Sequence, residues 1–280
     1  MIYLILAILC SLIISIIMRI SETHVKNEMG MFMSNYAICI ALALSFIEDK
    51  TELIALSNSA GTLTLILGII SGILYLGNFV LLKFNMACNG IVMASTFMKL
   101  GIIVPTIMAV VVFHEVPKWS QVAGLIIAIV AILLINLEKD SFSESKKKIW
   151  LLILLIMSGI TESMTNIFDK IGNASHKDLY LLLTFGTAFL CAVVLAIKEG
   201  RIYPKDCLFG ICIGVPNYFF SRFILSALES IDAVVVYPTY SVAAIVATAI
   251  VGVVIFHESI SKKKMCALGL ILVALVFLNI

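Results

Sequence analysis

Apolar runs of about twenty residues recur along the whole of this chain, and each is the length a helix needs to cross a hydrocarbon layer of about 30 Å. They fall at 2–18, 29–48, 63–82, 90–112, 119–137, 149–168, 179–197, 207–227, 233–256 and 264–280. Inside a bilayer no water is present to bond the backbone, so only helices and closed barrels can span it. The runs are uniformly apolar and do not alternate, which favours helices over barrel strands. Of 280 residues, 62% are hydrophobic and 13% charged, whereas soluble domains carry about 45–50% and about 25%. The first run lacks a basic n-region and has no A-x-A site before Arg19, so it reads as a membrane helix and not a cleaved signal. The expectation is an all-α membrane protein with ten transmembrane helices, multi-pass in the inner or plasma membrane.

Several classes are disfavoured early. The net charge of +2 is small and sits in connectors, so no nucleic acid partner is expected. Seven cysteines are scattered without a CxxC pair, so neither a disulfide framework nor a metal is expected. The chain contains no GxxxxGK[ST] loop, and direct drive by ATP is not expected. No cofactor is called for. The expected partners are a small-molecule substrate and membrane lipid, with the chain acting as a monomer or homodimer. Connectors such as Glu48-Asp49-Lys50-Thr51 and Lys198-Glu199-Gly200-Arg201 leave no room for a soluble catalytic domain.

An internal repeat sets the topology. A shift of about 143 residues, found by aligning the halves, pairs Tyr75 with Tyr218, Thr96 with Thr239, and Asn136 with Asn279. At the same shift Phe113-His114-Glu115 meets Phe256-His257-Glu258, and Phe97 meets Tyr240. Residues 1–137 and 149–280 then form two five-helix repeats joined by a basic linker, 138–148. Because five is odd, the second repeat enters the membrane from the opposite side, giving two inverted five-helix repeats. Connectors after the odd-numbered helices hold most of the lysine and arginine, including Arg19, Lys26, Lys146, Lys147, Lys148, Arg201 and Lys264. Lys50, Lys118, Lys170, Lys177 and Arg222 fall on the other face. The positive-inside rule then puts both termini outside the cytoplasm.

This plan resembles the drug/metabolite transporter superfamily, in its EamA-like branch. The likeness lies in the duplicated ten-helix arrangement and the Phe-His-Glu near a helix end in each half. It extends to Pro105, Ala123-Gly124-Leu125 and Tyr237-Pro238-Thr239-Tyr240-Ser241. The resemblance implies a central cavity lined by helices 3, 4, 8 and 9, and a solute such as an amino acid, organic metabolite, nucleotide sugar or drug. Members usually keep both termini in the cytoplasm; the charges of this chain point the other way.

Polar residues at membrane depth cost roughly 2.5–3.5 kcal/mol on insertion scales and mark candidate sites. Lys99 sits mid-helix one turn after Thr96, suited to an anionic or zwitterionic solute or to a structural ion pair. Ser158, Glu162, Asn166 and Asp169 form a polar stripe on helix 6. Glu162 is deep enough to carry protons or to pair with Lys99. Gly214, Pro216 and Asn217 mark either a break that presents backbone to a solute or an ordinary kink. Arg222 is expected to reach for the interface. His114-Glu115 and His257-Glu258 read as helix termination and loop anchoring, because adjacent helical residues point apart. Gly68, Gly72 and Gly77 read as close helix packing. The substrate site is accordingly placed at Tyr75, Asn78, Thr96, Lys99, Asn217, Tyr218, Tyr240 and Ser241, with Glu162 as the proton-coupling candidate.

The function expected is secondary transport of an amino acid or organic anion by alternating access, with no catalytic residues. Efflux of cationic compounds through Glu162 is the alternative within the same class. An intramembrane lipid-modifying enzyme is the alternative outside it, and would need clustered His, Asp or Cys near an interface.

Overall fold

A computed structural model of the chain describes residues 1–21, 23–47, 59–89, 94, 97–98, 100–136, 148–254 and 262–279. These hold α1 (Ile2–Ser21), α2 (Glu28–Phe46), α3 (Ser59–Asn89), α4 (Ile103–Val111), α5 (Trp119–Asn136), α6 (Lys148–Ile171), α7 (Lys177–Glu199), α8 (Pro204–Leu228), α9 (Ala233–Val254) and α10 (Lys262–Asn279). Six of the helices are long and apolar enough to cross a membrane by length and composition. The protein is an all-α membrane protein. Large apolar side chains such as Leu190, Ile197, Leu208 and Ile73 stand exposed along these helices, where lipid and not water is their fitting neighbour.

Helix ends follow ordinary capping chemistry. Asn27 precedes α2, and its side-chain oxygen accepts from the Gly30 amide at 2.6 Å. Pro204 opens α8 at a position where no amide is needed. Gly200, at φ 118°, ends α7 in a conformation that side chains resist. His114 ends α4 at φ 56°, and the Glu115 amide then bonds back to the Ala109 carbonyl at 3.0 Å.

Two elements differ from expectation. α3 runs on to Asn89, because nothing between 83 and 89 breaks a helix and Asn85 and Asn89 bond back at four-residue spacing. Lys83, just past the 63–82 run and so expected in the connector after helix 3, lies within the helix. The fourth helix is interrupted at Gly101 and Ile102, between helical residues up to Leu100 and α4. Pro105 has no N–H for the Gly101 carbonyl, which accepts from Val104 at 2.9 Å instead. The Met98 carbonyl takes a bond from the Ser158 hydroxyl at 2.8 Å.

The described chain divides into two compact units, residues 1–76 with 167–229, and residues 77–166 with 230–280. In the first, Gly210 and Gly214 of α8 press against Met31, Ser34, Asn35 and Ile38 of α2, and Gly68 and Gly72 of α3 press against α7. Glycine at such crossings lets backbones approach where lipid gives no hydrophobic drive. In the second unit, Gly124 of α5 meets the Leu278 amide and Ala274 carbonyl of α10, each 3.0 Å from where a Cβ would stand. Leu100, Ile102, Ala128, Ala131, Val242, Ile245 and Ala274 form its core. The C-terminal half of α3 runs along α6, with Phe84 edge-on to Trp150 at 5.0 Å.

Candidate functional site

In the first unit, α2, α3 and α8 bring a chain of polar side chains into an apolar interior. The Tyr75 hydroxyl donates to Asn217 Oδ1 at 3.3 Å, and Asn217 Nδ2 donates to Asn35 Oδ1 at 3.1 Å. Asn35 and Asn217 are buried. The Cys39 thiol, one turn after Asn35, donates to the Gly214 carbonyl at 3.3 Å. α8 stays helical through Pro216, and α2 supplies the thiol for a carbonyl near the proline. Around this network Tyr36, Tyr75 and Phe185 lie 6.2–6.3 Å apart, centre to centre, a spacing aromatic rings favour.

Tyr218 faces a second cluster. Its hydroxyl accepts from Arg222 Nη1 at 2.9 Å, and the same nitrogen is ion-paired with Asp178 of α7. The Arg222 guanidinium lies over the Phe46 ring, 4.3 Å from its centre. Asp178, Tyr218 and Phe46 hold it inside the unit. Lys177 bonds the Ser226 hydroxyl at 2.6 Å and pairs with Glu229 at 2.9 Å. With Asp169 these line a small cleft at the ends of α6, α7 and α8.

The second unit holds the other described candidates. Asn78 is buried with its side-chain oxygen unpaired among the described residues, and Asn166 is fully buried with both amide atoms unpaired among them. Glu162 sits between Ser158 and Asn166 on α6, and the Tyr237 hydroxyl of α9 bonds its backbone carbonyl at 3.0 Å. Its carboxyl has no hydrogen-bond or ionic partner among the described residues. Tyr240 and Ser241 are half-buried on α9. Glu115 Oε2 accepts from the Val234 amide at 3.0 Å, tying the end of α4 to the start of α9. That is an anchoring role, at a helix N-terminus where a carboxylate is favoured. Thr96, Lys99, His257, Glu258 and most of the 138–148 linker lie outside the described residues.

The structure thus gathers Tyr75, Asn217 and Tyr218 in one unit, while Asn78, Tyr240, Ser241 and Glu162 belong to the other. Sequence reasoning missed Asn35, Cys39, Phe185 and Asp178. Asn35 and Cys39 stand one turn apart in an apolar helix, the same signal that drew attention to helix 6.

Over 272 residues the chain is 24% identical to an uncharacterized protein of Haemophilus influenzae, spanning 92% of this chain and 91% of that one. A crystal structure of a protein matches with a TM-score of 0.72 at 13% identity, covering 99% of this chain and 96% of the other. At that identity the likeness is one of fold. Residues 149–280, just under half of the chain, match the EamA-like transporter family.

Proposed function

We propose that the chain is a secondary transporter of the inner or plasma membrane, an exporter or exchanger that carries an amino acid or organic anion by alternating access. The observation that supports this most is the bonded chain Tyr75–Asn217–Asn35. Apolar side chains of the same shape would pack a purely structural core as well, since replacing both partners of a buried hydrogen bond can be nearly neutral. A solute that exchanges for these bonds gives them a use. The site takes in Tyr75, Asn78, Thr96, Lys99, Asn217, Tyr218, Tyr240 and Ser241, with Glu162 coupling transport to protons, and the protein is not an enzyme.

Two inverted repeats, 1–137 and 149–280, supply the two access states. Close glycine packing occurs in both halves, at positions that the shift of about 143 residues does not pair. A side chain on Gly72 would strike the Thr184 carbonyl, Thr187 Cβ and Ala188 amide of α7. One on Gly210 would strike the Met31 carbonyl, Ser34 Cβ and Asn35 amide of α2, the same spacing along the neighbouring helix. The basic linker faces the cytoplasm in this reading. Single cysteines replacing Thr51 and Ser143 in a cysteine-free chain are expected to label from outside at 51 and not at 143. The opposite pattern reverses the orientation.

Counterflow of labelled amino acids and organic acids in proteoliposomes tests the function. Asn217→Ala and Lys99→Ala are each expected to lower the rate at least about tenfold, the loss of about 1.4 kcal/mol of binding. If Lys99→Ala transports normally, the anion preference falls. A cationic solute taken by Glu162 then becomes the reading, favoured by that carboxyl having no described partner. Transport of no solute by the folded protein refutes the function itself.

A further inference from the structure

Basic side chains gather where α1 passes into α2 and where α7 turns into α8, all within the first unit. Lys26, Lys198, Arg201 and Lys205 are exposed, and none of them forms an ion pair among the described residues. The acids at this end are engaged by backbone. Asp206 is fully buried and accepts from the Lys26, Asn27 and Tyr203 amides. Glu199 accepts from the Glu28 and Met29 amides. Glu28 stands in the first turn of α2, where a helix N-terminus favours a carboxylate. Glu22 lies outside the described residues. One ring, that of Tyr203, holds two of the cations: Lys26 Nζ is 5.0 Å from its centre and Arg201 Cζ 5.4 Å. A ring face attracts a cation and still leaves N–H donors for an anion. Just inside this end, Val194 and Ile197 of α7 and Leu208 and Ile211 of α8 are exposed, as side chains that face acyl chains are.

We infer that this end of the first unit binds the headgroup of an anionic phospholipid. Lys26 and Arg201 supply the contacts to its phosphate, Tyr203 holds the two side chains, and Lys198 and Lys205 add to the attraction. Charge decides the class. Basic side chains beside a membrane helix attract anionic lipid, whereas a zwitterionic headgroup brings an ammonium of its own. A soluble anion meets the same cations but lays no acyl chains against Ile197 and Leu208, so the lipid gains more here. The positive-inside rule assigns these connectors to the cytoplasmic side, where the leaflet carries the anionic lipids. Lys26 belongs to the α1–α2 connector and Arg201 to the α7–α8 turn, so the lipid lies across the joint between them. The inference does not rest on the transporter reading.

The test titrates the full chain, purified in detergent, with dioleoylphosphatidylglycerol, dioleoylphosphatidylcholine and glycerol 3-phosphate, and follows binding by native mass spectrometry. The tightest-bound phosphatidylglycerol is expected to bind at least about tenfold more tightly than phosphatidylcholine, which carries the same chains. Lys26→Gln combined with Arg201→Gln should weaken it at least about tenfold. Lys118→Gln combined with Lys170→Gln loses the same charge elsewhere and should leave it unchanged. Tyr203→Phe keeps the ring and should keep the affinity, while Tyr203→Leu should lower it. Unchanged affinity in the Lys26 and Arg201 variant, an equal loss in the Lys118 and Lys170 control, or full affinity in Tyr203→Leu overturns the inference. So does displacement of the lipid by an equal concentration of glycerol 3-phosphate, which would make the ligand a soluble phosphate ester. Lys26 and Arg201 are exposed, so their replacement should spare the fold; should it not, the two Tyr203 variants decide. Counterflow plays no part in this measurement, so failure of the transporter reading leaves its result standing.

Discussion

Gly210→Leu is expected to be the most damaging single substitution in the first unit, lowering stability by at least about 3 kcal/mol, the upper end of overpacking effects. The obstruction is backbone. A Cβ at this position would strike the Met31 carbonyl and stand 2.7 Å from Ser34 Cβ and 3.0 Å from the Asn35 amide. Side chains can turn aside, but an α2 carbonyl and amide move only if the helix moves. Even Gly210→Ala should cost about 1–3 kcal/mol for that reason. Gly186 of α7 is the internal control, since a Cβ there meets nothing within 4 Å. Gly186→Ala should be neutral or about 0.5–1 kcal/mol stabilising, as alanine fits a helix interior better. Reversible unfolding in mixed micelles measures all three variants. Equal stabilities for Gly210→Ala and Gly186→Ala would show that α2 and α8 are not in backbone contact. The displacement also bears on the proposed site, because Asn35 is among the residues crowded and is the acceptor for Asn217.

That link between packing and site shows which parts of the protein could be read from its residues. The helices were legible because a bilayer demands long apolar runs, and little else produces them. The end of α3 was not, since an apolar run can stop while the helix continues through residues such as Asn85 and Asn89 that bond back to it. The interruption at Gly101 follows from Pro105, a residue noted only for its family likeness. Glu115 anchors the start of α9, the role its place at a helix end suggested. The partner of Arg222, Asp178, is 44 positions away in sequence, and no local spacing announces such a pair. Asn35 and Cys39 were overlooked for a different reason. The resemblance implies a cavity lined by helices 3, 4, 8 and 9, which leaves out helix 2 although that helix carries a polar pair at helical spacing.

Asp206→Ala is expected to cost about 2–4 kcal/mol, as one buried and two partly buried donors lose their acceptor, at about 1–3 kcal/mol for a buried donor and less where water can replace it. Asp206 is fully buried at the third position of α8. Its carboxylate accepts from the Tyr203 amide at 2.9 Å, the Lys26 amide at 3.0 Å and the Asn27 amide at 3.3 Å. The nearby Lys26 ammonium lies over the Tyr203 ring, 5.0 Å from its centre, so the backbone amides supply the bonds to this carboxylate. Asn27 answers in the other direction, donating to the Ala196 and Gly200 carbonyls at 3.1 Å each. Glu199 completes the clamp by accepting from the Met29 amide at 2.9 Å. The start of α2 is thereby fastened to the α7–α8 hairpin, which carries Asp178, Phe185, Asn217 and Arg222. Asp206→Asn keeps one accepting oxygen and turns an NH2 toward donors, so it should fall between alanine and wild type. Hydrogen exchange at Lys26, Asn27 and Tyr203 should quicken in step with the loss. If Asp206→Ala unfolds within 1 kcal/mol of wild type, about the worth of one ordinary hydrogen bond, the amides have found water and the clamp is not what holds α2. If it destabilises as expected yet transport in the remaining folded protein keeps its wild-type rate, the clamp serves folding alone and plays no part in moving α2 against the hairpin.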